Sequence, residues 1–111
     1  MTIVGCEGAP MSRFGFAIVR GRSMEPTLRD GDRLLVRYGA TPRAGQVVIV
    51  RLPGRSVVSV KRLVHPDGDG WWVERDNPVE GVDSWLVGAV PAGDLLGVAI
   101  ARVWPRPRRL G

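Results

Sequence analysis

Short runs of β-branched and aliphatic residues alternate with glycine- and proline-containing turns along almost the whole chain. The clearest runs are "FAIVR" at 16–20, "RLLVR" at 33–37 and "VVIVR" at 47–51. Each run has the length of a strand and is too short for an ordinary helix. With 15 glycines and 9 prolines available for turns, the sequence predicts an all-β fold, either a folded sheet or a partly open barrel.

The length of 111 residues predicts a single domain over 1–111. A brief helical turn is expected in "PAGDLL", residues 91–96, and a hairpin is expected to join the fourth and fifth predicted strands. The predicted strands cover residues 14–20, 32–38, 46–52, 56–64, 70–75 and 98–104.

Cysteine content and hydropathy indicate where such a chain works. A single cysteine, Cys6, cannot form an internal disulfide, so the fold does not depend on an oxidising compartment. No apolar run approaches the ~20 residues that a membrane-spanning helix needs. We therefore expect a cytoplasmic protein without a membrane span.

The net charge of +5 is concentrated in part at the carboxyl end, "RVWPRPRRLG" at 102–111. Such an end either contacts phosphate groups of nucleic acid or lipid, or is a solvated tail. We favour the second interpretation, predict a flexible basic tail over 105–111, and do not expect nucleic acid as a partner.

Lys61 is the single lysine among sixteen lysine and arginine residues. An arginine keeps its proton in proteins, whereas a desolvated lysine can lose its proton and act as a base. Strand alternation places Lys61 on one face with Val57, Ser59 and Leu63, which is mostly apolar. Lys61 is therefore a candidate general base, against the alternative that it survives by chance on a solvated face. His65 lies at a turn, where a surface imidazole is expected.

Ser23 lies in the turn "GRSMEPTLRDGD" at 21–32. A serine hydroxyl becomes a nucleophile when a base takes its proton and N–H donors stabilise the oxyanion. Gly21 allows the backbone to approach a substrate carbonyl closely. Pro26 and Thr27 would hold the turn, with Met24 packed beneath it. A serine–lysine pair is a known hydrolase arrangement.

Three segments together resemble a known protease clan. The turn at 21–32 resembles the serine box of the signal peptidase I and repressor-cleavage clan, known as S26/S24, and "VKRLV" at 60–64 resembles its lysine box. "DNPVEGVDS" at 76–84 resembles the third signal peptidase box. The boxes occur in order over about 19–90. The resemblance implies a serine endopeptidase on a β-rich fold, without a metal or cofactor.

The resemblance also implies roles for individual residues. Ser23 would be the nucleophile and Lys61 the general base. Gly21, Arg22 and Met24 would contribute to the oxyanion site or contact the substrate. Structural support would come from Pro26, Asp76, Asn77, Asp83 and Ser84.

Two positions depart from the family pattern. Gly81 stands where signal peptidases have a serine that orients the lysine, and Trp85 stands where they have an arginine that pairs with the aspartate corresponding to Asp83. Ser59 is a candidate for the orienting role. What orients Lys61 is otherwise left open by the sequence.

The small size and the segments "GDRLLVRYGA", "GWWV" and "DNP" are similar to the maturation proteases of nickel-type superoxide dismutase. That similarity implies removal of an N-terminal extension from a precursor bound as an extended strand. Alternatives are a signal peptidase-like protease of another precursor, or a self-cleaving DNA-damage regulator. The regulator needs an Ala-Gly or Cys-Gly pair, and none precedes Ser23. A non-enzymatic basic binding module is a further alternative.

Overall fold

The computed structural model describes the backbone of residues 2–7 and the full residues 13–110. Over these residues the chain forms strands, one short α-helix and one 3-10 turn. The strands are β1 (Thr2–Glu7), β2 (Phe14–Arg20), β3 (Arg33–Tyr38), β4 (Val47–Arg51), β5 (Val58–Asp67), β6 (Gly70–Glu74), β7 (Val90–Pro91), β8 (Leu95–Trp104) and β9 (Arg108–Arg109). The helix is α1 (Ser84–Val87), and the 3-10 turn covers Ala92–Asp94.

The strands form one antiparallel sheet in the order β1-β2-β3-β8-β4-β5-β6-β7, with β9 paired to β8. β1 also contacts β5, so the sheet folds over and brings its first strand against a strand of its other half. The prediction of an all-β folded sheet is confirmed. This folding brings the turn after β2 close to β5.

β4 is buried on both faces because the sheet packs against itself on either side of it. Val47 and Ile49 join one apolar cluster, while Val48 and Val50 join a second. An uninterrupted apolar run is the pattern expected of a strand covered on both faces. The first cluster also holds Met24 from the turn after β2, so the core anchors that turn.

Several elements differ from the sequence prediction. β1 was not predicted, and the last long strand begins at Leu95 rather than at 98. α1 forms where no helix was predicted, because the Asp83 side chain accepts the Trp85 N–H at 3.1 Å and caps the helix. The predicted helical turn is present at Ala92–Asp94.

The carboxyl end also differs from the expected flexible tail over 105–111. β9 pairs with β8, and the Leu110 N–H donates to the Ile100 carbonyl at 3.0 Å. Leu110 packs against the first apolar cluster. The described part of the basic end lies on the sheet because this packing removes the apolar Leu110 side chain from water.

Among the described residues, no helix has the length and apolar character required to cross a bilayer. The side chain of Cys6 lies outside the part that the structure describes.

Candidate active site

Ser23 is held in a tight turn directly after β2. The Glu25 N–H donates to the Arg22 carbonyl at 3.1 Å, and the Leu28 N–H donates to the Met24 carbonyl at 2.9 Å. Met24 and Leu28 have no exposed surface, so they fasten the turn to the core. Ser23 itself is only 1% exposed, which places its hydroxyl beneath the surface.

The Lys61 Nζ lies 2.8 Å from the Ser23 Oγ. Lys61 sits within β5, directly opposite Val48 of β4, and its side chain has no exposed surface. Opposite residues of antiparallel strands share a face, so the lysine stem lies on an apolar face of the sheet. The structure therefore brings together the serine and the lysine that the sequence singled out.

Burial lowers the pKa of Lys61 from 10.5 to about 8. The negative charge of Asp83 opposes this shift, whereas the positive charges of Arg75 and Arg55 add to it. A lysine with a pKa of about 8 is partly neutral near physiological pH. Its amine can then accept a proton from a neighbouring hydroxyl.

Asp76 joins the serine turn to the lysine strand. Its Oδ2 accepts from the Thr27 hydroxyl at 2.6 Å and from Arg62 at 2.6 Å, and its Oδ1 accepts from the Arg62 Nε at 3.2 Å. Burial raises the pKa of Asp76, but the bonds from Arg62 and Thr27 outweigh it, and the pKa falls below its usual value. Asp76 thus remains a carboxylate and holds the serine turn and the lysine strand in register.

The loop over 77–81 covers Ser23. The Asn77 N–H donates to the Ser23 carbonyl at 2.8 Å, and the Asn77 Nδ2 donates to the Arg22 carbonyl at 2.9 Å. Gly81 packs so closely that a Cβ built on it would lie 2.4 Å from the Ser23 Cβ. A serine at position 81 therefore does not fit this arrangement, which gives a physical reason for the glycine.

Asp83 and Ser84 fasten the end of this loop to β6. The Asp83 Oδ2 accepts the Arg75 N–H at 3.0 Å, and the Ser84 Oγ accepts the Val73 N–H at 2.9 Å. The Arg75 guanidinium lies 3.7 Å from the Asp83 Oδ2. The cation beside Asp83 therefore comes from position 75, and Trp85 is 75% exposed.

The three residues expected at the oxyanion site differ in their exposure and in their hydrogen-bond partners. The Gly21 N–H donates to the Asp30 carboxylate at 2.8 Å, so an oxyanion role for this amide requires that bond to open. Met24 is fully buried and offers no surface to a substrate in this structure. Arg22 is exposed and forms charge pairs with Glu25 and Glu80.

An open groove of about 410 Å³ lies next to the serine turn, and Ser23 itself is not among its lining residues. It lies between the serine turn and the loop over 77–81. Its lining consists of Arg22, Glu25, Pro26, Asn77, Pro78, Val79 and Glu80. Pro26, expected as a support of the site, is therefore also a groove residue.

Some residues that build the site were not identified as site residues from the sequence. Arg62 follows Lys61 in the "VKRLV" segment, and only this position next to Lys61 pointed to Arg62 as a site residue. Asp30 lies within the quoted serine turn. Arg75 had no sequence signal, because its partners lie in a loop whose course only the folded chain defines.

For the nucleophilic role that the resemblance implies for Ser23, we expect Gly81→Ala to lower the cleavage rate at least about tenfold, because the new methyl group displaces Ser23. Gly88→Ala is the matched control: both glycines have a positive φ, 116° and 87°, but no atom lies within 4 Å of a Cβ at position 88. Both variants bear the backbone strain, and only the first disturbs Ser23. Equal cleavage rates for the two variants would contradict this interpretation.

Comparison with known proteins shows that this chain is similar to proteases. A family model described as Peptidase S24-like matches residues 9–83. Mitochondrial inner membrane protease subunit 1 of Schizosaccharomyces pombe is 31% identical over 85% of this chain and 76% of its own length. The Xenopus tropicalis protein of the same name is 29% identical over 79% of this chain and 68% of its own length. Signal peptidase I of Bacillus licheniformis is 43% identical over 47% of this chain and 30% of its own length.

Proposed function

The chain belongs to the Peptidase S24-like family of serine proteases, and on that premise we propose that Ser23 and Lys61 are the catalytic pair of an endopeptidase. The enzyme removes an N-terminal extension from a precursor protein in the cytoplasm. The observation that carries the proposal is the 2.8 Å separation of the Lys61 Nζ and the Ser23 Oγ. Burial of both groups keeps water from competing with the proton transfer between them.

In the first half of the reaction, the neutral Lys61 amine accepts the proton of the Ser23 hydroxyl while Oγ forms a bond to the scissile carbonyl carbon. Backbone N–H groups of the serine turn stabilise the oxyanion. The carbon–nitrogen bond then breaks, and the Lys61 ammonium returns its proton to the leaving amine.

In the second half, Lys61 takes a proton from a water molecule, whose oxygen attacks the acyl group on Ser23. The bond between Oγ and the acyl carbon breaks, and Oγ regains the proton from Lys61. The products are two peptides, one with a new carboxyl end and one with a new amino end. No redox step or cofactor enters this sequence.

The pairing of strands supports a substrate strand beside β5. β2 is paired on both edges, by β1 and β3. In β5, residues 58–62 pair with β4 on one edge, whereas the β6 pairing on the other edge begins at Arg62. An extended peptide can therefore pair with the edge that precedes Lys61. β1 contacts β5, so the peptide would share or replace that contact.

We propose the precursor of a nickel-type superoxide dismutase as the substrate. The support is the resemblance of the "GDRLLVRYGA", "GWWV" and "DNP" segments to maturation proteases of that dismutase. A substrate segment must adopt an extended form to pair with the edge of β5, and we propose that the N-terminal extension of the precursor does so.

The test is incubation of the purified protein with the dismutase precursor, followed by intact-mass measurement of both proteins. Loss of the N-terminal extension from the precursor is the expected result, with the mature dismutase unchanged as control. Shortening of the protein itself when incubated alone would indicate a self-cleaving regulator. An unchanged precursor would refute this substrate.

A further inference from the structure

Arg75 occupies the position between β6 and the loop that covers Ser23. Its guanidinium donates to three carbonyls of that loop: Asn77 at 2.7 Å, Pro78 at 3.1 Å and Gly81 at 3.3 Å. The planar fork of an arginine suits several acceptors at once, which a lysine ammonium on a flexible stem does not. Arg75 therefore defines the course of the loop from 77 to 81.

The loop that Arg75 holds is in direct contact with the nucleophile. The Asn77 N–H binds the Ser23 carbonyl, and Gly81 packs on the Ser23 Cβ. The Arg75 Cδ lies 3.3 Å from the position of a Cβ on Gly81. Gly81 therefore lies between the Arg75 side chain and Ser23, so a change in the guanidinium contacts would alter the packing on Ser23.

Arg75 also acts on the lysine. Its backbone N–H and guanidinium both face the Asp83 carboxylate, at 3.0 Å and 3.7 Å. The charged groups that influence Lys61 are Asp83, Arg75 and Arg55. Because Arg75 is positive and partly neutralises Asp83, it favours the uncharged form of Lys61 in two ways.

We propose that Arg75 is a positioning residue for the proposed proteolysis, which sets the place of Ser23 through the covering loop and keeps the Lys61 amine available as a base through Asp83. The inference rests on the proposed function for its effect on the reaction. Its effect on Lys61 is independent of any substrate.

Two substitutions separate the roles of charge and of geometry. In Arg75→Met both the positive charge and the fork are lost, so the pKa of Lys61 rises by roughly half a unit to one unit and the cleavage rate falls about 10- to 100-fold. In Arg75→Lys the charge remains near Asp83, so the pKa of Lys61 stays near its original value while the rate still falls. Arg43→Met, at an exposed arginine between β3 and β4, is the matched control and changes neither quantity.

The pKa of Lys61 is measured by NMR of protein labelled with ¹³Cε-lysine, which gives one side-chain signal in the unmodified protein and in Arg75→Met because the chain has one lysine. Arg75→Lys gives a second signal, which is assigned to position 75 by its absence from the spectrum of the unmodified protein. This titration needs no substrate, so it tests Arg75 even if the dismutase precursor is not cleaved. Circular dichroism melting verifies that each variant is folded. A folded Arg75→Met protein with an unmoved Lys61 titration and an unchanged cleavage rate would overturn the proposal, and a loss of stability alone would reduce Arg75 to a purely structural residue.

Discussion

Ser23→Ala is expected to lower the rate of precursor cleavage at least about a thousandfold. The substitution removes the hydroxyl oxygen that lies 2.8 Å from the Lys61 Nζ, and an alanine methyl group cannot form an acyl-enzyme. The backbone carbonyl of residue 23 still accepts the Asn77 N–H, so the covering loop stays in place. The free energy of unfolding falls by only about 1–2 kcal/mol, since the buried amine loses a partner.

Ser56→Ala serves as the matched control, because Ser56 is an exposed serine in the turn before β5. Its cleavage rate should equal that of the unmodified protein. The measurement is the initial rate of precursor shortening by mass spectrometry, with thermal melting to verify the fold. Cleavage by Ser23→Ala at the original rate would exclude Ser23 as the nucleophile.

Lys61→Met is expected to abolish cleavage and, at the same time, to stabilise the protein at neutral pH. The rate falls at least about a thousandfold because the chain has no second lysine that could take the Ser23 proton. The stability rises because an ammonium is no longer buried: lowering the pKa from 10.5 to about 8 corresponds to a penalty of about 3 kcal/mol. A variant that is inactive because it is unfolded would lose stability, so a loss of activity together with a gain in stability excludes that explanation.

The stability difference depends on pH in a defined window. Below pH 8 the folded and unfolded chains both carry a protonated Lys61, and the full penalty applies to the unmodified protein. Between pH 8 and 10.5 the unfolded chain binds more protons than the folded chain, so the stability of the unmodified protein rises with pH. Above this window Lys61→Met has lost its advantage. Urea unfolding of both proteins at pH 7 and pH 10 measures the difference.

Cleavage by the unmodified enzyme depends on the same titration. The neutral fraction of Lys61 falls tenfold for each pH unit below its pKa of about 8, so kcat/KM at pH 6 is about a hundredfold below its plateau. A rate that does not change between pH 6 and pH 9 would contradict Lys61 as the base. Lys61→Arg should be inactive at every pH, because an arginine does not lose its proton.

The positions of most strands were predictable from the sequence because strand periodicity is local. The run at 14–20 coincides with β2, and the runs at 32–38 and 46–52 contain β3 and β4. β4 could be recognised from its run of four consecutive aliphatic residues, and the structure buries all four. α1 was missed because a four-residue helix has too few positions to show a period, and its start depends on the single cap from Asp83.

The chemical identities in the site were also present in the sequence. A lone lysine among arginines and a serine in a constrained turn made Lys61 and Ser23 candidates, and the resemblance to the signal peptidase clan implied their roles, although 38 positions separate them. Their separation of 2.8 Å was decided by the folding of the sheet, which packs the turn after β2 against β5. Chain spacing carries no information on such a distance, because it depends on every strand between them.

Which cation pairs with Asp83 was likewise decided only by the tertiary structure. The sequence showed Trp85 where a family arginine was expected, and the fold supplies Arg75 from the end of β6. The Gly21 N–H was expected to bind the oxyanion, but in the structure it donates a hydrogen bond to the Asp30 carboxylate. Local pattern thus determined the strands and the reactive groups, whereas hydrogen bonds and ion pairs between distant segments depend on backbone positions that only the packed sheet provides.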